Sequence, residues 1–221
     1  SIIIPIFNEI QHINRLLSGL KPYHNENHEI IIINDGSNDG SLEALQEYSF
    51  IKLLNFKKNQ GKGIAIKKGL QNAIHQNIII FDGDLELNPS ELKLLMILNL
   101  KDNIKCVFAN RYAKKNQYKT FWDYGNYFIT IIFNIFHKSK IKDALCCAKS
   151  FFKNDIIIEN LSSNKFDIDV EITSKLIIKH NNLVNINMDY KRRNTNEGKK
   201  LKLIDTLLIL KRIILTPLFN K

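Results

Sequence analysis

Cysteine is scarce in this chain. There are three, two of them adjacent (Cys146 and Cys147), too few for a disulfide framework and wrongly spaced for zinc. They read as small core residues of a protein kept in a reducing, cytoplasmic setting. Glycine and proline are also sparse, nine and four in 221 residues, and they gather into no low-complexity linker. With no internal repeat either, no domain boundary is predicted. No apolar run reaches the roughly 18 residues that a membrane span needs. Ile2 to Ile6 is too short for a signal peptide and lacks a charged lead, and Ser1 already lies in a strand-like run with no Met before it. The natural start is therefore expected a few residues upstream. Acids are the minority charge: Lys+Arg 32 against Asp+Glu 22 gives +10 and a pI near 9.4. An anionic partner follows, whether phosphate, nucleic acid or a membrane surface. His24 and His28 are four apart but sit in a polar loop, which predicts solvated side chains and not metal ligands.

What is present is an alternation of apolar runs and amphipathic stretches. Ile78-Ile79-Ile80-Phe81 leads straight into Asp82-Gly83-Asp84. A continuous apolar run closed by turn signals predicts a strand buried on both faces. Its acids then lie at the C-terminal end, where open α/β sheets bind ligands. Two carboxylates around a glycine suit a hard divalent cation that bridges phosphate oxygens, although a solvated acidic turn has the same signature. Ile2–Ile4, closed by Pro5, predicts an earlier strand, and Ile10, Ile13, Leu16, Leu17 and Leu20 predict a helix that Pro22 ends. Ile30–Ile33 repeats the strand-into-acid pattern in "IIIINDGSNDGS" (30–41). Ser41 caps a helix to about Tyr48, Phe50–Asn55 forms a strand, and "NQGKGIAIKKG" (59–69) opens another helix. A helix from Pro89 to about Leu98 and a strand at Lys105–Ala109 complete the first half. This is the signature of βαβ units with right-handed crossovers and a parallel sheet. The second half is less regular: an aromatic helix at Tyr124–Phe136, a short strand or irregular stretch at Ala144–Phe152, a helix at Asp169–His180 and a strand at Leu183–Asp189. The basic run "YKRRNTNEGKK" (190–200) and an amphipathic helix close the chain.

Several short motifs can be weighed on their chemistry. "DGSNDG" (35–40) matches half a calcium loop, but Gln46 stands where the bidentate Glu belongs and the flanks are strand and helix, which disfavours calcium. Asp35 can instead accept bonds from a base or ribose, or cap a tight turn. "GKG" (61–63) is no dinucleotide fingerprint, yet Lys62 and backbone amides at a helix N-terminus suit a phosphate. "FDGDLE" (81–86) is excluded as an aspartyl-phosphatase loop, since that nucleophile belongs on a first strand. Arg and Lys clustered at 191–200 suit a diphosphate or a phospholipid headgroup, and equally a solvated face.

In order and spacing, the chain resembles the family 2 glycosyltransferases, most closely the dolichyl-phosphate mannose synthase-like branch. The motifs that carry this are "SIIIPIFNE" (1–9), "INDGSNDGS" (33–41), "NQGKGIAIKKG" (59–69), "FDGDLELNPSEL" (81–92), "ANRY" (109–112), "FDIDVEIT" (166–173) and "YKRRNTNEGKKL" (190–201). The resemblance implies an α/β fold of the GT-A type, a nucleotide-sugar-binding sandwich with a mostly parallel central sheet flanked by helices. It implies a catalytic domain over residues 1–200, followed by a C-terminal amphipathic helix at 201–221. Pro5, Phe7, Glu9, Asp35, Lys62 and Asp82 look like the nucleotide-binding set. Asp82 and Asp84, with Glu86 as a further ligand, look like the site for Mg2+ or Mn2+. Asp84, Arg111, Arg193, Lys199 and Lys200 look like the catalytic set, Arg111 facing an acceptor phosphate and the last three clamping a diphosphate. The chain departs from the family at Gly83, where Ala is usual, and in "KDALCCAKSFF" (142–152), where Leu145 and Ala148 replace a Thr and a Tyr on the expected sugar-facing wall.

The implied reaction moves a sugar, with inversion, from a GDP- or UDP-sugar to a polyprenyl or dolichyl phosphate. The acceptor phosphate, with a second pKa of about 6, needs no general base. A hydroxyl acceptor on a glycan or surface polysaccharide would need one, and Asp167 or Asp169 are the candidates. The rival reading is a non-catalytic anionic-lipid-binding protein. Nucleic acid is disfavoured, because Phe128, Phe133 and Phe136 sit in an apolar helix and are not interleaved with basic residues. The last helix is expected to stop near Thr216, before Pro217. It should place Leu203, Ile204, Leu207, Leu208, Leu210 and Ile214 on one side and Lys202, Asp205, Arg212 and Thr216 on the other. With Lys199, Lys200, Lys211, Arg212 and the apolar 124–136 segment, that predicts peripheral contact with the cytoplasmic face of a membrane, against the alternative of a helix packed on the sheet's edge. Oligomeric state has no signature here.

Overall fold

The computed structural model describes residues 1–112, 118, 120–193 and 203–219, with the side chains of the last helix from 205 to 217. Seven strands form one sheet: β1 (Ile2–Ile6), β2 (Ile30–Asn34), β3 (Lys52–Asn55), β4 (Asn77–Ile80), β5 (Cys106–Asn110), β6 (Lys149–Phe152) and β7 (Val184–Asn187), in the order β3-β2-β1-β4-β6-β5-β7. β6 is antiparallel to both neighbours and every other pairing is parallel.

The isoleucine runs are explained by the pleat. Successive side chains point to opposite faces, so a strand covered on both sides must be apolar at every position. Ile3, Ile31, Ile33, Ile78 and Ile80 pack on one face against Ala65, Ile66 and Leu70 of α3 (Lys62–Asn72) and Ile172 and Leu176 of α5 (Ile168–Lys179). Ile2, Ile4, Ile6, Ile30, Ile32 and Ile79 pack on the other, against Ile13, Leu16, Leu17 and Leu20 of α1 (Ile10–Asn25). Burying each such side chain stabilises the fold by about 1.5–3 kcal/mol.

Two expected helix ends move. α1 continues through Pro22 to Asn25, because a proline in the last turn forfeits only one ladder bond. Pro89 opens a 3-10 segment, Pro89–Leu95, and not a helix reaching Leu98; the Asn88 side chain caps it by accepting from the Ser90 amide at 3.1 Å. α2 (Ser41–Gln46) and α4 (Phe121–His137) fall close to expectation.

The last helix, α6 (Leu203–Phe219), runs past Pro217 instead of stopping at Thr216. Its inward stripe is Asp205, Ile209, Ile213 and Thr216, while Leu207 and Ile214 stay exposed. The polar positions turn inward because Arg212 donates to Asp167 (Nη2, 3.1 Å) and Ser162 (2.6 Å) and lies 3.5 Å from Glu171, tying α6 to α5. α6 also packs on α4. No helix among the described residues is long and apolar enough to cross a membrane.

Candidate active site

The strand ends of the parallel set converge on one region. β4 ends at Ile80, and Phe81 is buried, which throws Asp82 and Asp84 past the edge of the sheet. The loop that follows is tight. Leu85 takes a left-handed φ of 58°, a strained conformation for a bulky residue, and the Glu86 amide donates to Asp84 Oδ1 at 3.1 Å. Gly83 is required here by close approach: a Cβ at this position would stand 2.0 Å from Ile6 Cδ1.

Three charged groupings form around this loop. In the first, Lys62, the opening residue of α3, places Nζ 2.8 Å from Asp82 Oδ1 and 2.8 Å from Asp169 Oδ2. Burial alone would drive off its proton, but Asp169 and then Asp82 hold it charged, well above the ordinary lysine value. Lys149 of β6, fully buried, donates to the Asp169 carbonyl at 3.1 Å. In the second, Arg193 donates to Glu9 (3.1 Å) and Asp84 (2.8 Å), and its amide donates to Glu86 (3.1 Å). In the third, Arg111 at the end of β5 forms a fork with Asp143: Nε donates to Oδ2 at 2.7 Å and Nη2 to Oδ1 at 3.0 Å. Tyr112 and Tyr190 flank that guanidinium, with ring centroids 5.5 and 5.6 Å away. Tyr112 also donates to Asp123 of α4 at 3.2 Å, and Arg192 pairs with the same carboxylate.

The electrostatic imbalance lies at Asp84. Burial, with the Asp82 and Glu86 carboxylates beside it, pushes its pKa up to about 7 even though Arg193 pulls it down. Asp82 is the more open of the pair, 36% exposed against 17%. Among the described residues no group of three or more His, Cys, Asp and Glu side chains converges as a ready metal cage. Two carboxylate donors, the other positions being filled by water and phosphate oxygens, are nevertheless what Mg2+ or Mn2+ commonly takes from a protein.

Other expected residues take different positions. Asp35, buried, accepts from the Gln60 and Gly61 amides at 2.7 and 2.9 Å, so it braces the loop before α3. Burial nonetheless raises its pKa. The Gly63 amide is engaged by Asn164 O at 3.0 Å, and a Cβ on Gly63 would meet Ser163 O at 2.5 Å. The glycines of "GKG" thus admit the 163–164 backbone, and that amide does not face an open phosphate site. Pro5 is a half-buried β1 residue, and Phe7 lies half-buried in the loop after it. Asp167 turns away from the acids, accepting from Ser163 Oγ (2.6 Å) and Arg212, whereas Asp169 joins the Lys62 grouping. Ala148 is fully buried in the core and not on an open wall. Cys146 and Cys147 are buried free thiols, as expected. Lys199 and Lys200 lie outside the described residues. Sequence reasoning missed Lys149, Asp143 and Asp123. A lysine between Ala148 and Phe151 in an apolar strand was a legible sign of a buried, paired charge.

The model of the family described as Glycosyl transferase family 2 matches residues 1–158. The chain belongs to that family. A Bacillus subtilis (strain 168) protein described as the uncharacterized glycosyltransferase YkcC is 37% identical over 124 residues, covering 53% of this family 2 chain and only 38% of its own length. Dolichyl-phosphate beta-glucosyltransferase ALG5D of Trichomonas vaginalis is 27% identical over 92% of this chain and 68% of its own. Among solved structures, glucosyl-3-phosphoglycerate synthase from Mycobacterium tuberculosis, in complex with Mn2+, UDP and glucosyl-3-phosphoglycerate, superposes with a TM-score of 0.68 at 13% identity, over 99% of this chain and 78% of that one. That likeness shows the GT-A type fold for this family 2 chain.

Proposed function

We propose that this protein transfers a sugar from a nucleoside diphosphate sugar to a polyprenyl phosphate. The observation that carries the reading is the excess of carboxylate at Asp82, Asp84 and Glu86, bracketed on either side by Lys62, Arg193 and Arg111. A site that holds Asp84 near pKa 7 lacks a positive charge, and a divalent cation with an anionic diphosphate would complete it. Asp82 and Asp84, with Glu86 beside them, would hold Mg2+ or Mn2+, which would supply Lewis-acid stabilisation of the departing diphosphate.

The chain's own residues do the remaining work. Arg193 and Lys62 place cationic donors where negative charge builds as the glycosidic bond breaks, a contribution of about 100- to 1,000-fold per donor. Both are held by carboxylates in the structure, so they are oriented before substrate arrives. Arg111, held by Asp143 through Nε and Nη2, would supply the cation that meets the acceptor phosphate. That phosphate is already largely anionic at neutral pH and attacks without a base. A hydroxyl acceptor would need one, and Asp169, which accepts from Lys62 at 2.8 Å, would be the candidate for that role. The Trichomonas relative, named for a dolichyl phosphate acceptor, supports the lipid reading.

The test is transfer from labelled UDP- and GDP-sugars to a polyprenyl phosphate, with manganese and with chelator. Formation of a mild-acid-labile lipid product that chelator abolishes is the expected result. Transfer only to glycan hydroxyls, or undiminished turnover in excess chelator, overturns the reading.

A further inference from the structure

A four-residue strap, 190–193, touches both sides of the site. Tyr190 lies against the Arg111 guanidinium, its ring centroid 5.6 Å away, and against the Tyr112 ring at 5.9 Å. Arg192 pairs with Asp123 of α4. Arg193 turns the other way, donating to Asp84 at 2.8 Å and to Glu9 at 3.1 Å. The backbone between them is seated on the acid loop: Tyr190 bridges to Leu87, and the Lys191 amide donates to the Glu86 carbonyl at 2.8 Å. Neighbouring Cα atoms are about 3.8 Å apart, so any larger movement of Arg193 is carried into Arg192.

Asp123 does more than start a helix. Its Oδ2 accepts from the Thr120 amide at 2.8 Å and from Thr120 Oγ1 at 2.7 Å, which closes a capping box at the head of α4. An exposed carboxylate would suffice for that. Asp123 is instead fully buried, and its Oδ1 accepts from the Tyr112 hydroxyl at 3.2 Å and from Arg192 Nη1. Burying a carboxylate is costly unless a cation and further hydrogen bonds offset its lost hydration, and Arg192 is the cation that does so. Tyr112 follows Arg111 in sequence and accepts from Asn126 at 2.9 Å. Asp123 thus joins the residue beside the acceptor-side arginine to the residue beside the donor-side one. We propose that Arg192 and Asp123 are positioning residues, a latch through which an acceptor phosphate at Arg111 and a nucleoside diphosphate at Arg193 strengthen each other's binding. The proposal rests on the donor and acceptor assignments above. An acceptor that orders Arg111 and its flanking tyrosines steadies Tyr190 and Arg192, and the strap then holds Arg193 towards the diphosphate. By linkage the coupling is reciprocal.

Titration calorimetry of UDP and of GDP with Mn2+, with and without a short, water-soluble prenyl phosphate, tests this. For the nucleotide that binds, prenyl phosphate should tighten binding to the parent at least about fivefold. Asp123→Asn and Arg192→Gln should each bring that factor below about twofold, with affinity for the nucleotide alone moved by less than about threefold. In transfer assays both variants should raise the KM values more than they lower kcat. Arg192→Lys should recover most of the coupling, because the contact uses a single nitrogen and lysine keeps the cation. Should Arg192→Gln fail to fold around an unpaired Asp123, the double variant with Asp123→Asn carries no buried charge and takes its place in the same titration. A parent whose nucleotide affinity ignores the acceptor overturns the proposal. Variants with a lowered Tm and parental coupling also overturn it, since the pair would then only brace the fold. Coupling to a glycan acceptor in place of prenyl phosphate, lost in the variants, removes the polyprenyl-phosphate reading and leaves the latch standing.

Discussion

Replacing Gly83 by alanine should destabilise the protein through one neighbour that can itself be trimmed. The new Cβ would stand 2.0 Å from Ile6 Cδ1 and 3.3 Å from Ile4 Cγ2 and Leu16 Cδ2. Non-bonded carbons prefer about 3.5–4.0 Å, so the Ile6 methyl must retreat by about 1.5–2 Å. Ile6 is 1% exposed and its neighbours Ile4 and Leu16 are fully buried, which leaves it nowhere to go. Overpacking of this kind costs about 1–3 kcal/mol. At about 2 kcal/mol, a chain of this length should lose about 4–8 °C in Tm. Ile6→Val removes the clashing methyl and by itself costs about 0.5–1.5 kcal/mol. The double variant should therefore be no less stable than Ile6→Val alone, a coupling of about 2 kcal/mol in the cycle. Urea denaturation of all four proteins measures it. Because Asp82 and Asp84 flank the position, sugar transfer should fall in Gly83→Ala and return in the double variant. A Gly83→Ala protein as stable as its parent, or strictly additive losses, would refute the steric account.

Other consequences follow from the same geometry. Asp84→Asn should abolish metal-dependent transfer with Tm changed by no more than about 2 °C, since Asp84 is repelled by Asp82 and Glu86 and contributes little to folding; equal turnover across a manganese titration would remove Asp84 from the site. Asp143→Asn breaks a buried fork and should cost about 3–5 kcal/mol together with a collapse of turnover, and wild-type stability and kinetics would show that Arg111 does not depend on it. Burial holds His137 near pKa 4 against an ordinary 6.5. The unfolded chain therefore binds the extra proton between those values, and the stabilisation is complete above pH 6.5 and lost as pH falls towards 4. At about 1.4 kcal/mol per pH unit the loss reaches at most roughly 3 kcal/mol. His137→Gln should flatten this part of a stability–pH curve, and parallel curves for the two proteins would exclude His137 as its source.

The local chemistry of the chain determined the strands and the acids that end them. Runs such as Ile30–Ile33 and Ile78–Phe81 have no other stable use than a strand covered on both faces, and alternation with amphipathic stretches implies a parallel sheet. Asp82 and Asp84 were legible at a strand end, Lys62 at a helix start and Arg193 in a basic run, and the resemblance to the family 2 glycosyltransferases added Glu9 and joined them into one set. Which of them meet was decided only by tertiary structure. Lys62 and Asp169 are 107 residues apart, Glu9 and Arg193 184 apart, and no periodicity encodes such pairings. The antiparallel placement of β6 between β4 and β5 belongs here too, since it brings Lys149 under Asp169 from an apolar run that by itself reads only as core. The last helix shows the physical reason most plainly. An amphipathic pattern says that a helix has two faces, but which face turns inward depends on what is offered to it. Asp167, just before α5, and Glu171 on it hold Arg212, and that pair of acids turned Asp205 and Thr216 to the core side and left Leu207 and Ile214 outside.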